Sequence, residues 1–236
     1  MRHPEDLDLK IDLDTEDSAT NQAAARRTTL VSVGVNLSLT VAQVVAGILA
    51  GSQALVADAI HSLSDLISDF VVLFASHHSQ KGPDATHHYG HQRFENAASL
   101  VLGLLLLAVG VGMLWNAVVK LEHPEAIQPV KLIGLWVALG ALAAKELLFR
   151  YMLAVAERVR SSMLVANAWH ARSDAASSLV VALGIVGNVF GYRLLDPVAA
   201  LIVGLMVTRM GWHFGWEALH DLMDRAVDQE TVRSEE

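Results

Sequence analysis

Leu100-Val-Leu-Gly-Leu-Leu-Leu-Leu-Ala-Val-Gly-Val-Gly-Met-Leu-Trp-Asn-Ala-Val-Val119 contains no charged side chain and a single side-chain amide. A hydrocarbon layer ~30 Å thick is crossed by about 20 such residues in a helix. Within that layer the backbone must satisfy its own hydrogen bonds, so an apolar run of this length implies a helix. Similar runs recur on both sides, and the pattern predicts spans at 28–50, 55–78, 92–120, 130–155, 163–190 and 196–220. The chain is 53% hydrophobic, with a mean hydropathy of +0.39, above the usual apolar share of a soluble domain. The expected fold is all-α, a polytopic membrane protein of six transmembrane helices. Leu100–Val119, the most uniformly apolar run, is expected to face lipid most.

Punctuation between the runs agrees. Gly51-Ser52-Gln53 reads as a tight turn, Pro124 and Pro129 bracket a connection, and Asp196-Pro197 opens the last helix with proline in its first turn. Arg26, Arg27, Lys81, Arg93, Arg150, Arg158, Arg160 and Arg225 fall on one side of the six-span arrangement, against Lys120, Lys131 and Arg193 on the other. By the positive-inside rule both termini are cytoplasmic. Trp115, Trp136, Trp212 and Trp216 fall near span ends, as an aromatic belt does. GxxxG recurs as Gly47–Gly51, Gly187–Gly191 and Gly211–Gly215, where turns or close packing compete with a dimer seam. The sequon Asn36-Leu-Ser38 lies inside a span and is discounted.

The formal charge of −8 is concentrated at one end. Residues 1–25 hold Glu5, Asp6, Asp8, Asp12, Asp14, Glu16 and Asp17 against Arg2 and Lys10, and the remainder is close to balanced. This segment lacks the basic start and apolar stretch of a signal peptide. The alternation Leu7, Leu9, Ile11, Leu13 hints at a strand, but the acid load favours a disordered cytoplasmic tail. The domain reading is therefore a tail at 1–25, a six-helix domain at 26–225 and a short cytoplasmic tail at 226–236. No basic patch of the kind that binds nucleic acid is present. With no cysteine, disulfides and thiolate metal sites are excluded.

Two copies of one pattern stand out in the apolar background: His61-Ser-Leu-Ser-Asp65 in span two and His170-Ala-Arg-Ser-Asp174 in span five. A spacing of four puts each histidine and aspartate on one helix face, a turn apart. Two such faces turned together offer two imidazoles and two carboxylates, a donor set that suits tetrahedral Zn²⁺. Two carboxylates and two neutral imidazoles carry two negative charges, which a dication cancels. Without metal, protonation relieves the repulsion, so metal and protons compete for the same groups. Ionisable groups inside spans are costly and mark transport pathways.

Asp58 and Asp69 share that polar face and suggest an access path or proton relay, with solvation at the helix ends as the plainer reading. Asp84-x-x-His87-His88-x-x-His91 suits a metal site in the connection after span two, against a merely solvated histidine-rich loop. Lys145 is expected to find a carboxylate inside the bundle. Arg172 is expected to raise the potential at an empty site and to pair with Asp174 or Asp69. His3, His123, His213 and His220 read as interfacial.

From Arg26 onward the chain resembles the transmembrane domain of the cation diffusion facilitators, metal/proton antiporters that include bacterial zinc efflux proteins and eukaryotic zinc transporters. The resemblance is carried by Ala57-Asp-Ala-Ile-His61-Ser-Leu-Ser-Asp65, Asp84-x-x-His87-x-x-Gly90-His91, Ala168-Trp-His170-x-x-x-Asp174 and Asp196-Pro-x-Ala-Ala. It implies a central transport site of His61, Asp65, His170 and Asp174, and a second, cytoplasmic loop site of Asp84, His87 and His91. A His-Asp/His-Asp quartet implies zinc preference within that family. The resemblance also implies an ion pair between Arg93 and Asp224, tying span three to the end of span six. It covers the transmembrane domain only. The C-terminal cytoplasmic metal-binding domain usual in the family is not matched, so a homodimer is expected to form through transmembrane helices.

The expected function is secondary transport of Zn²⁺ out of the cytoplasm against protons, with Cd²⁺, Fe²⁺, Co²⁺ or Ni²⁺ as further substrates. The setting is a lipid bilayer, the cell inner membrane in a bacterium. The alternative is a haem-binding electron-transfer subunit with His61 and His170 as axial ligands, which leaves both aspartates unexplained. An enzyme is not expected, since the His-Glu-x-x-His of a metalloprotease does not occur.

Overall fold

A computed structural model describes residues 4–79, 92–159 and 161–223; for 4–25, 69, 72–79, 92–95, 126, 163 and 221 it describes the backbone alone. Among the described residues lie six α-helices: α1 (Pro4–Ala50), α2 (Gln53–Ser79), α3 (Gln92–Glu122), α4 (Leu132–Arg158), α5 (Ser162–Val189) and α6 (Leu195–Leu222). A short 3-10 turn, Pro124–Ala126, follows α3. No strand occurs among these residues. Each expected span coincides with one helix.

The N-terminal segment departs from the disordered arm expected of it, because α1 starts at Pro4. No glycine or further proline interrupts the chain before Gly34. Proline suits a first helical turn, and acids near a helix N-terminus are favoured by the macrodipole.

Within α1, α3, α4 and α6 the stretches Arg26–Ala50, Asn96–Glu122, Leu132–Arg158 and Leu195–His220 are long and apolar enough to cross a membrane by length and composition. The α3 stretch is the least buried of the four, at 22%, as its apolar sequence predicts. Helices α2 and α5 are the polar pair, carrying Asp58, His61 and Asp65 on one and His170, Arg172 and Asp174 on the other. The packing explains how they are accommodated. Helices α1, α2, α5 and α4 form a ring of neighbours, and a tightly packed α3–α6 pair lies against it, α3 and α6 both touching α2 and α6 also touching α5.

Glycine makes the α3–α6 contact close. A Cβ on Gly103 would strike the backbone of Gly215, one on Gly110 would strike Thr208, and one on Gly211 would strike Leu106 and Leu107. Small residues permit such approach where lipid offers no hydrophobic drive for association. The other two GxxxG pairs are also used within the protomer. Gly47 packs on Val56 and Gly187 on Leu195, while Gly51 (φ 74°) and Gly191 (φ 103°) make turns in a backbone region that L-residues rarely adopt.

These two turns mark one face of the bundle, here called the far face; the opposite face carries the start of the first apolar span. Ser52 Oγ caps α2 by accepting the Leu55 amide at 3.1 Å, and Asp196 accepts the Gln53 amide at 2.8 Å. Asn188 Oδ1 accepts the Val130 amide at 2.8 Å, and Lys131 Nζ reaches the Leu49 carbonyl at 2.9 Å. Beneath this pinned face lies an apolar cluster that includes Ala50, Leu55, Val130, Val181, Ile185 and Val203. Trp115, Trp136, Trp169, Trp212 and Trp216 are all exposed, the disposition of an aromatic belt.

Candidate metal site

Helix α2 projects His61 and Asp65 from adjacent turns, and α5 projects Asp174 toward them. The ligand atoms of these three residues all lie within 4.8 Å of one another. Among the described residues this is the one group of three or more histidine and carboxylate side chains so arranged. Ligands around a tetrahedral zinc sit ~3.3 Å apart, given bonds of ~2.0–2.1 Å, so modest side-chain rotation brings the three into range.

His61 is buried, and its Nδ1 makes no hydrogen bond, lying 3.8 Å from Asp65 Oδ2. Buried polar nitrogens are rarely left this way, and a coordinating ion would satisfy it. His170 is exposed but lines the same cleft as Asp65 and Asp174, within electrostatic reach of His61 and Asp174. Three residues of the expected quartet thus converge and the fourth stands at the rim.

The cleft has a volume of about 50 Å³. Its wall includes Thr29, Ser32 and Asn36 of α1, Ser62 of α2, Met152 of α4 and Asn167 of α5. The sequence reading did not single these out as site residues, and Asn36 figured there only in a discounted sequon. Within Arg26–Ala50, α4 and α5 the lining residues lie in the half remote from the far face, and on α2 they lie near mid-helix, so the cleft opens toward the opposite face.

Asp58 occupies a different place from the one its helix position suggests. It is fully buried and outside the cleft wall, so it is not solvated at a helix end. Its carboxylate meets Lys145 of α4 at 3.3 Å, and both side chains are shut away from solvent. The carboxylate partner expected for Lys145 is therefore Asp58.

Arg172 does not approach Asp174. Its guanidinium lies 4.8 Å from the Phe149 ring centre and 5.4 Å from that of Trp169. Two residues past His170 on a helix means about 200° of rotation, which turns the side chain to the opposite face. Glu146 pairs with Arg150 at 2.8 Å on the exposed side. Asp84, His87, His91 and Asp224 lie outside the described residues, as do the side chains of Asp69 and Arg93.

With this geometry in place, comparison with known proteins supplies the class. Residues 29–223 match the cation efflux transmembrane domain, and the chain belongs to the cation efflux family. It is 34% identical over 206 residues to metal tolerance protein C1 of Arabidopsis thaliana, covering 81% of this chain and 44% of that protein. It is 33% identical to manganese efflux system protein MneS of Bacillus subtilis (strain 168), covering 83% of this chain and 67% of the relative. Mitochondrial metal transporter 1 of Saccharomyces cerevisiae is 31% identical, over 89% of this chain and 46% of its own length. The chain spans about half the length of the plant and yeast proteins.

Proposed function

We propose that this protein is a secondary active transporter that exports divalent metal cations, zinc foremost, from the cytoplasm in exchange for protons. The observation that supports this most is the convergence of His61, Asp65 and Asp174, from two helices, with both carboxylates lining a cleft that opens to one face of the bundle. In this reading the three bind the ion with His170 as fourth ligand, and rocking of the helices alternates access to the site. Two carboxylates facing each other need a dication or protons for neutrality, which couples the two fluxes. Imidazole donors favour zinc over manganese, although manganese is in the name of one relative. Cd²⁺, Fe²⁺, Co²⁺ and Ni²⁺ are further candidate substrates.

Both termini are proposed to be cytoplasmic, so the cleft faces the cytoplasm; in a bacterium the membrane would be the inner one. Asp84, His87 and His91 are proposed as a cytoplasmic loop site, and Arg93 with Asp224 as an ion pair. A homodimer through membrane helices is proposed with its seam away from the GxxxG glycines, which already pack or turn within one protomer. The haem reading loses support from the size of the cleft, about 50 Å³, where cofactor pockets run to ~300–1,000 Å³.

Zinc uptake into proteoliposomes driven by a proton gradient tests the proposal. His170→Ala and Asp174→Ala should each abolish flux while the protein still folds. Full gradient-driven flux in either variant would refute it.

A further inference from the structure

The Lys145–Asp58 pair is the centre of a buried network that joins all four helices of the ring. Lys145 Nζ donates to Ser178 Oγ at 2.7 Å, to Ser62 Oγ at 3.0 Å and to Asp58 Oδ2 at 3.3 Å. Asp58 also accepts from Gln43 Nε2 at 2.5 Å, from Ser178 Oγ at 2.6 Å and from Ser177 Oγ at 3.2 Å. Gln43 belongs to α1, Asp58 and Ser62 to α2, Lys145 to α4, and Ser177 and Ser178 to α5. Every one of the six is buried.

Its height in the bundle is what gives it meaning. On α1, Gln43 follows the cleft residue Asn36 in the direction of Ala50 and the far face. On α4, Lys145 precedes the cleft residue Met152, on the side nearer Leu132. On α2, Asp58 precedes His61, and on α5 Ser178 follows Asp174. At 1.5 Å of rise per residue Gln43, Asp58, Lys145 and Ser178 lie ~5–10 Å beyond the site toward the far face, while Ser62 joins the network to the cleft wall. Past it comes the apolar cluster of Ala50, Leu55, Val181 and Ile185. The site is thus open on one side, and on the other it is closed first by an ion pair and then by hydrocarbon.

We propose that Asp58 and Lys145 form the latch that closes the far side of the site, and that they must part or shift for an ion to leave by that face. As a means of holding four helices together, a buried ion pair has no advantage over apolar residues of similar volume. It suits a contact that is made in one arrangement and unmade in another. While closed, the ammonium of Lys145 also places a positive charge in the dication's path. The inference rests on the transport reading and adds two positioning residues to it.

The absence of cysteine makes the test direct. Ala182, 2% exposed and one turn past Ser178 on α5, is replaced in the full chain by Ala182→Cys. The protein is reconstituted in vesicles and treated from either side with a membrane-impermeant methanethiosulfonate, a Tyr192→Cys protein marking the far face. With the latch intact labelling should be slow from both sides. Adding Lys145→Met or Asp58→Asn should speed it about tenfold or more from the far face alone, as expected when lost contacts bias a two-state equilibrium. The double neutral variant Asp58→Asn/Lys145→Met leaves no lone buried charge and decides the matter if a single variant fails to fold. Zinc binding, with all four ligands present, verifies its fold. An unchanged far-face rate, or an equal rise from both faces, overturns the latch. Zinc flux surviving in His170→Ala would instead overturn the transport reading and leave the labelling result standing.

Discussion

Ser52 Oγ donates to Asp196 Oδ1 at 2.5 Å across 144 positions of sequence. The same hydroxyl accepts the Leu55 amide, and the second carboxylate oxygen accepts the Gln53 amide. One aspartate at the start of α6 therefore completes the N-terminal cap of α2, the helix that carries half of the candidate site. Asp196→Ala should strand these buried donors and destabilise the protein by about 1–3 kcal/mol. Equilibrium unfolding in detergent measures this, and a change within error would show that the cap is held by other means.

Removal of a converging ligand should be felt in equilibrium binding as well as in flux. His61→Ala and Asp174→Ala should each weaken zinc binding by about 100-fold or more, at or beyond the 10–100-fold range typical of outer-sphere partners. Calorimetry on the purified protein checks this.

Arg172 supplies the contrast. Its guanidinium rests on Phe149 and Trp169, away from the carboxylates. Arg172→Gln should leave zinc affinity within about twofold and cost ~0.5–1 kcal/mol of stability through the lost ring contacts. A large loss of affinity in the same titration would place the side chain at the site after all.

The α3–α6 seam makes a steric prediction. Gly110→Leu and Gly211→Leu should overpack a contact in which even a Cβ collides, at a cost of about 1–3 kcal/mol or more. Gly112→Leu, with open space around its position, is the matched control. Midpoints of thermal unfolding should fall for the first two and stay unchanged for the third.

Much of this molecule was legible in the linear chain because a membrane narrows the choices. Runs such as Leu100–Val119 can only be helices, and the interruptions at Gly51 and Asp196-Pro197 fall where the helices change. The His61–Asp65 and His170–Asp174 pairs were visible because spacing of four survives any tertiary arrangement. Three things were hidden, each for a physical reason. Asp58 shares a helix face with His61, yet whether it meets lipid, water or Lys145 depends on α4, which sequence adjacency does not report. Arg172 lies between two site residues in sequence but on the reverse of the helix in space. The acidic start of α1 has the composition of a solvated arm, while its freedom from glycine permits a continuous helix.

The glycine contact between α3 and α6 has a mechanical consequence. Backbones that touch have no compliant side-chain layer between them, so these two helices are suited to travel as one stiff plate. Any change of shape then falls to the looser joints within the ring of α1, α2, α4 and α5. The outermost lipid-facing helix is coupled through that plate to the polar centre, and the thickness of the surrounding bilayer becomes a force on a site it never touches.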